Sequence, residues 1–284
     1  MLILLLGDSH GSPFAIEQAY KTALEVGCKK IVSLGDYGYW EHRYGGPEFL
    51  DLTSDGFRQT GIPFYWLDGN HEAHSWLRMT SEQIAQIKAN YKKQFGVDPD
   101  IISRVDQLVP ASSYRENLNP EGFWTIRPGL FYAPRGHAFV WDNVSFMTMG
   151  GAYSIDRGSR KLNDSWWLEE EITDEEIDAG IAKGQIDVLL SHDVPDGADI
   201  TWQMHRIGKR FALIKDAEAG RQKLRRLVDS IRPSHIFHGH YHIRYTSRAD
   251  FGYGPVKIVG LDCEYNEPDN MYILDTREII PVEM

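Results

Sequence analysis

Short apolar runs that stop at a histidine, an aspartate or an asparagine constrain this chain more than any other feature. Leu2 to Leu6 runs into Gly7-Asp8-Ser9-His10, Ile31 to Leu34 into Gly35-Asp36, and Pro63 to Leu67 into Asp68-Gly69-Asn70-His71-Glu72. Farther on, Val188 to Leu190 meets Ser191-His192, and His235 to Phe237 meets His238-Gly239-His240-Tyr241-His242. Uniform apolarity over a strand's length marks a strand buried on both faces. In an open α/β sheet the carboxyl ends of the strands border one crevice, where ligands bind. Five separate segments therefore aim polar side chains at one place. Singly, a Gly-Asp pair reads as a turn and a lone histidine as an ordinary surface or core residue. Jointly they supply aspartate, asparagine and histidine donors, a mixed oxygen and nitrogen set suited to Mn, Fe, Zn and similar divalent ions rather than Ca or Mg.

Between these runs the apolar spacing becomes helical. Phe14, Ile16, Ala19, Tyr20, Ala23 and Leu24 form a stripe after Ser12 as cap and Pro13 at the first helical position. Glu48 to Gln59 fills the next crossover, so the N-terminal part reads as repeated βαβ units. From residue 75 to about 119 the pattern turns to polar helical stretches around Ile84, Ile87 and Tyr91 and then to an irregular segment, which reads as an inserted cap. Trp124 to Ile126, Leu130 to Tyr132, Phe139 to Trp141 and Val144 to Met149 predict a second, meandering antiparallel sheet. Helices over Asp174–Ala182 and Ala217–Ile231 lead into the Val188 and His235 strands, and Ile243–Ser247, Pro255–Val259 and Met271–Leu274 close the series. One domain over 1–284, carrying the insertion, is the expected organisation.

The ordered blocks Asp8-x-His10, Gly35-Asp36, Gly69-Asn70-His71-Glu72, His192 and Gly239-His240-x-His242 resemble the signature of the calcineurin-like metallophosphoesterase superfamily, in particular its bacterial and phage members. The resemblance spans Asp8 to His242. It implies an α/β fold of two mixed β-sheets packed as a sandwich and flanked by helices. It also implies two divalent transition-metal ions, manganese foremost, with iron, zinc, cobalt or nickel compatible. Asp8, His10 and His242 would hold one ion, Asn70, His192 and His240 the other, and Asp36 would bridge both. Two cations about 3.5–4 Å apart acidify a shared water and clamp the phosphoryl oxygens, so the implied reaction is phosphoester hydrolysis by a hydroxide that bridges the ions. His71 matches the family's histidine beside the leaving group. The protein Ser/Thr phosphatase branch continues its second block with Asp and Arg where Tyr39 and Trp40 stand here, which weakens that assignment. Glu72 is expected to bond backbone or orient a ligand.

Substrate contacts are expected from Arg157 and Arg160 in the glycine-rich segment after Met149, and from Tyr39 and His74 beside the ligand blocks, with Tyr37, Trp40 and His42 around the mouth. The bland alternative pairs the arginines with Glu169–Glu171 and sends the aromatics into the core. The net charge of −11 disfavours a long nucleic acid, whose binding draws on clustered Lys and Arg. The Lys209, Arg210, Arg221, Lys223, Arg225 and Arg226 group has the spacing of a solvated helix face. Two distant cysteines, Cys28 and Cys263, outline no disulfide framework, and Met1–Leu6 is too short for a membrane span, so a cytoplasmic setting is expected. A small phosphorylated substrate follows, a nucleotide or cyclic nucleotide being the leading candidate. A nuclease or RNA-processing phosphodiesterase and a non-catalytic metal-binding scaffold are the alternatives.

Overall fold

The computed structural model describes residues 1–95, 109–110, 112–200, 202–203 and 215–279. Strand β1 (Leu2–Leu6) buries Ile3, Leu4, Leu5 and Leu6 completely. Side chains alternate between the two faces of a strand, so Ile3 and Leu5 enter one apolar layer and Leu4 and Leu6 another. β1 pairs in parallel with β2 (Lys30–Ser33), and β2 in parallel with β3 (Phe64–Trp66). The crossovers are α1 (Pro13–Val26) and α2 (Gly46–Thr60). Helix α1 starts where Ser12 accepts the Ala15 N–H at 3.3 Å and stops at Gly27, whose left-handed φ of 82° few other residues adopt.

The first sheet has the order β12-β1-β2-β3-β5-β4, with β4 (Trp124–Arg127), β5 (Leu130–Tyr132) and β12 (Met271–Asp275). The second has the order β10-β11-β9-β8-β7-β6, from β6 (His137–Trp141), β7 (Val144–Met149), β8 (Val188–Ser191), β9 (His235–His238), β10 (Tyr245–Asp250) and β11 (Pro255–Gly260). The expected meander of β4 to β7 is therefore divided between the sheets. β5 is short and apolar and extends the first sheet by pairing in parallel with β3, Phe64 opposite Leu130. Of these four strands only β6 and β7 form a hairpin in the second sheet, turning at Asp142 and Asn143, both at positive φ (52° and 62°), as a two-residue turn requires. The strand expected from Ile243 begins at Tyr245, because Ile243 still belongs to the histidine-bearing loop.

Three apolar layers hold this arrangement. Ile3, Leu5, Val32, Leu34, Phe146, Val188, Leu190, Phe237 and Val259 meet between the sheets. Ile16 and Tyr20 of α1 and Leu50 of α2 cover the outer face of the first sheet against Leu4, Ile31, Phe64 and Trp66. Helices α5 (Asp174–Ile181) and α6 (Lys215–Ile231) cover the second through Ile177, Leu224, Leu227 and Val228. Two mixed six-stranded sheets packed face to face and flanked by helices result. Within 75–119, α3 (His74–Leu77) and α4 (Ser81–Phe95) are described; Ile84 joins Met79 and Val109 in a small cluster of its own. Residues 96–108 and 111 of that segment, with Lys209 and Arg210, lie outside the described residues. Of the basic group on α6, Arg225 pairs with Asp229 and Arg226 with Asp174 and Asp178. No helix among the described residues is long and apolar enough to cross a membrane.

Candidate metal centre

The loops that leave β1, β2 and β3 of the first sheet and β8 and β9 of the second meet at one end of the seam between the sheets. Among the described residues, eight other than glycine have positive φ, and four of them are candidate ligands: His10 (43°), Asp36 (45°), His240 (68°) and His242 (51°). A left-handed backbone costs a non-glycine residue on the order of 1–3 kcal/mol and persists only where the surroundings impose it. The glycines of the motifs serve close approach. A Cβ on Gly69 would lie 2.2 Å from Asp36 Oδ1, and one on Gly239 2.1 Å from Asp8 Oδ1.

Within this cleft Asp8, His10 and His242 bring one donor atom each within 4.8 Å of one another, as do Asp8, Asp36 and His192, and His10, Asp36 and His71. Asp36 divides its oxygens: Oδ2 lies 3.4 Å from His10 Nε2, and Oδ1 lies 3.4 Å from His192 Nε2. His242 Nε2 is 3.0 Å from Asp8 Oδ2, and Asn70 Oδ1 is 3.1 Å from His192 Nε2. The His240 ring centroid stands 5.0 Å from that of His192, and the His240 N–H donates to Asp8 Oδ1 at 3.0 Å. Separations of 3.4 Å are long for a charge-assisted hydrogen bond. Two donors that each sit about 2.1 Å from a shared ion lie roughly 3.0–3.4 Å apart, so the oxygen and nitrogen donors present here fit divalent transition-metal ions.

The donors are themselves held. His192 Nδ1 bonds the Leu34 carbonyl at 2.8 Å, His10 Nδ1 bonds Glu264 at 2.8 Å, and Asn70 donates to Ser154 Oγ, which donates to the buried Glu170. Glu72, fully buried, accepts the Gly69 and Gly38 N–H groups and so ties the loops after β2 and β3 together; burial and the Asp36 charge push its carboxyl up to about 8. Asp68 faces away from the donors. Arg135 (2.7 Å), Arg78 (3.3 Å) and the Tyr132 hydroxyl (2.9 Å) surround it; burial opposes its ionisation, yet Arg135 and its neighbours hold the carboxyl well below the usual range.

Burial opposes protonation of His10, His192 and His242, but the carboxylates outweigh it. Asp36 and Glu264 push His10 up to about 12; Asp36 raises His192, and Asp8 raises His242, each to about 10. Rings whose folded values exceed the ordinary ~6.5 stabilise the fold fully below pH ~6.5, and that contribution is lost as pH rises toward the folded values. His71 and His240 are shifted downward by burial and titrate below this window. The metal-free protein should therefore melt at a lower temperature at pH 9 than at pH 6.5, and saturating Mn²⁺, which takes the place of the protons, should remove that fall. A metal-free melting temperature that rises over the same interval contradicts the assignment.

A family model of calcineurin-like phosphoesterases matches residues 1–244. The chain belongs to that family. The family binds a dinuclear metal centre, and the Asp and His groups above are the candidates for it in this member. No curated protein matches the chain. Among solved structures, TT1561 of Thermus thermophilus is 13% identical, with 97% of this chain and 99% of that one covered and a TM-score of 0.46. An archaeal phosphodiesterase is 11% identical, with 99% and 96% covered and a TM-score of 0.39. A further crystal structure, 11% identical with 98% and 96% covered, has a TM-score of 0.54, a likeness of fold.

In this calcineurin-like phosphoesterase the expected substrate contacts separate into two groups. Arg160 enters the cleft: its Nη2 is 2.7 Å from His71 Nε2, and Asp156 holds it at 2.8 Å. His71 Nε2 in turn lies 3.8 Å from Asp36 Oδ2. Arg157 instead pairs with Glu171 at 2.9 Å and lies over the Tyr153 ring. Tyr39 and His74 require correction, since both are 0% exposed. Tyr39 stacks on Trp66 and donates to Glu41; His74 sits 3.4 Å from Asp68 behind the donors. The same spacing that puts Asp36 at the strand end turns Tyr37 and Tyr39 inward onto the aromatic core. His42 stacks on Trp76, His238 bonds Tyr245, and His137 lies against Phe123. Of the expected mouth aromatics Trp40 and His42 are half-buried, and Trp40 donates to the His71 carbonyl. Glu264, Ser154 and Glu170 were not singled out from the sequence. Glu264 lies 254 positions from its partner His10, and no local pattern marks it.

Proposed function

We propose that the protein hydrolyses phosphoester bonds, monoester or diester, in a small phosphorylated substrate such as a nucleotide or cyclic nucleotide. Two divalent transition-metal ions, manganese foremost, are assigned to Asp8, His10 and His242 on one side and Asn70, His192 and His240 on the other, with Asp36 between them. The observation that carries this reading is Asp36, whose two oxygens point separately at His10 and His192 from a fully buried carboxylate. When bound, the ions supply an acidified water and offset phosphoryl charge. The remaining work falls to side chains of this chain. Arg160 would present a guanidinium to the departing oxygen, and His71 is held by its ring contact with Arg160 and by the bond from its backbone N–H to Asp36 Oδ1 (2.8 Å). Trp40 offers a base a surface to stack on. The described residues of the segment 75–119, with α3 and α4, are assigned to a cap-like insertion in a single domain.

Purified protein loaded with Mn²⁺ should hydrolyse bis-p-nitrophenyl phosphate, p-nitrophenyl phosphate or members of a nucleotide panel. Inertness across that panel ends the enzymatic reading, and turnover confined to oligonucleotides, steeply dependent on salt, would replace the small substrate with a nucleic acid. His71→Ala should lower turnover roughly 10²-fold, most with poor leaving groups, as loss of a group acting at the leaving oxygen predicts. Equal losses for good and poor leaving groups would remove His71 from that role.

A further inference from the structure

The candidate donors all lie within the 1–244 family match, yet the contact that fixes His10 comes from beyond it. We propose that Glu264 is a positioning residue of the metal centre, committing the Nε2 atom of His10 to one ion. The inference rests on the two-ion reading above.

A histidine can offer either ring nitrogen, and a metal ligand is usually fixed by a partner that accepts the proton on the other one. Here the two nitrogens have separate neighbours. Nδ1 is 2.8 Å from Glu264 Oε2, while Nε2 faces Asp36 Oδ2 across 3.4 Å. With Glu264 accepting from Nδ1, the lone pair falls on Nε2, on the side of the shared carboxylate. The His10 ring is also wedged edge-on against those of His71 and His242, so rotation about its bond to Cβ has little room.

Glu264 is well placed to impose this because its loop is built rigidly from the ligand-bearing strands. Its side chain is 6% exposed. The loop leaves β11 where the Leu261 N–H donates to the His238 carbonyl at 2.9 Å, beside the His240 block. It returns where the Gly7 N–H, next to Asp8, donates to Asn270 at 2.8 Å. Between these ends Asp262 accepts from the Cys263 N–H and the Asn266 side chain. The two ends are thus pinned to the strands that carry Asp8 and His240, and β12 pairs along β1 immediately afterwards.

The test is a titration of metal-free protein with Co²⁺, followed by visible absorption and calorimetry, for the wild type, Glu264→Gln and Glu264→Ala. The wild type should take up two ions. Glu264→Ala should bind one of them about 10–100-fold more weakly and leave the other within roughly twofold of wild type, since the second ion's ligands are untouched. Glu264→Gln, which still accepts from Nδ1, should recover most of the loss. In the Zn²⁺-loaded protein one slowly exchanging imidazole N–H resonance should persist with Gln and vanish with Ala. Two ions bound as in wild type by Glu264→Ala would overturn the proposal, and so would equal weakening of both ions together with a lowered melting temperature in Glu264→Gln. A wild type that binds no Co²⁺ would overturn the two-ion reading itself, and the role of Glu264 with it.

Discussion

Asp36→Asn should bring hydrolysis by the Mn-loaded protein down to the uncatalysed background, a loss of at least about 10³-fold, or ~4 kcal/mol of barrier. Asparagine matches aspartate in volume, so the cleft keeps its shape. What changes is the chemistry of one atom: the amide replaces an acceptor oxygen by a donor NH₂, and only one of the His10 and His192 sides can still be offered an oxygen. The buried negative charge that draws cations is lost as well. Measured turnover of bis-p-nitrophenyl phosphate and the metal content of the purified variant should fall together, while the circular dichroism stays that of the wild type. Activity within tenfold of wild type would mean that Asp36 does not hold the reacting assembly.

Asp68→Ala is expected to act on the fold rather than on the reaction. Asp68 is fully buried and receives Arg135, itself buried, at two atoms (2.7 and 2.9 Å), with Arg78, Tyr132 and His74 around it. Removing one partner of a buried ion pair leaves the other charge uncompensated, at a cost of about 3–5 kcal/mol. For a chain of this length that corresponds to a fall of melting temperature on the order of 10 °C. Thermal unfolding of the metal-free proteins measures it without interference from bound ions, and a change below about 1 kcal/mol would show that Arg135 finds other acceptors, such as Glu176.

Much of this architecture is legible in the sequence because both of its main signals are local. An apolar run ended by a polar residue at a strand's carboxyl end names both the strand and the donor, and Ser12-Pro13 and Gly27 punctuate α1 unaided. The allocation of β4 to β7 between two sheets is not local. It depends on β5 finding β3 more than sixty positions upstream, which no periodicity encodes. The inward course of the aromatics after Asp36 is hidden in the sequence for a related reason. Proximity in sequence to a donor does not give the direction of a side chain, and the left-handed bend at Asp36 redirects the chain so that Tyr37 and Tyr39 join Trp66 in the core. Arg157 and Arg160 lie three positions apart, a spacing that a 3-10 turn would put on one face; they diverge because Arg160 has already left the turn for an extended backbone (φ −101°, ψ 163°). Contacts such as His10 with Glu264 and Asn70 with Ser154 join distant stretches and leave no trace in either one.

The candidate donors come from both sides of a sandwich: Asp8, His10, Asp36 and Asn70 from loops of one sheet, His192, His240 and His242 from loops of the other. A cation shared by them would be a rivet through the two halves as well as a reagent. Chelation would act as a mild denaturant that unfastens one rim of the sandwich, while a cell poor in the right ion would hold a looser, shorter-lived protein in addition to an idle one.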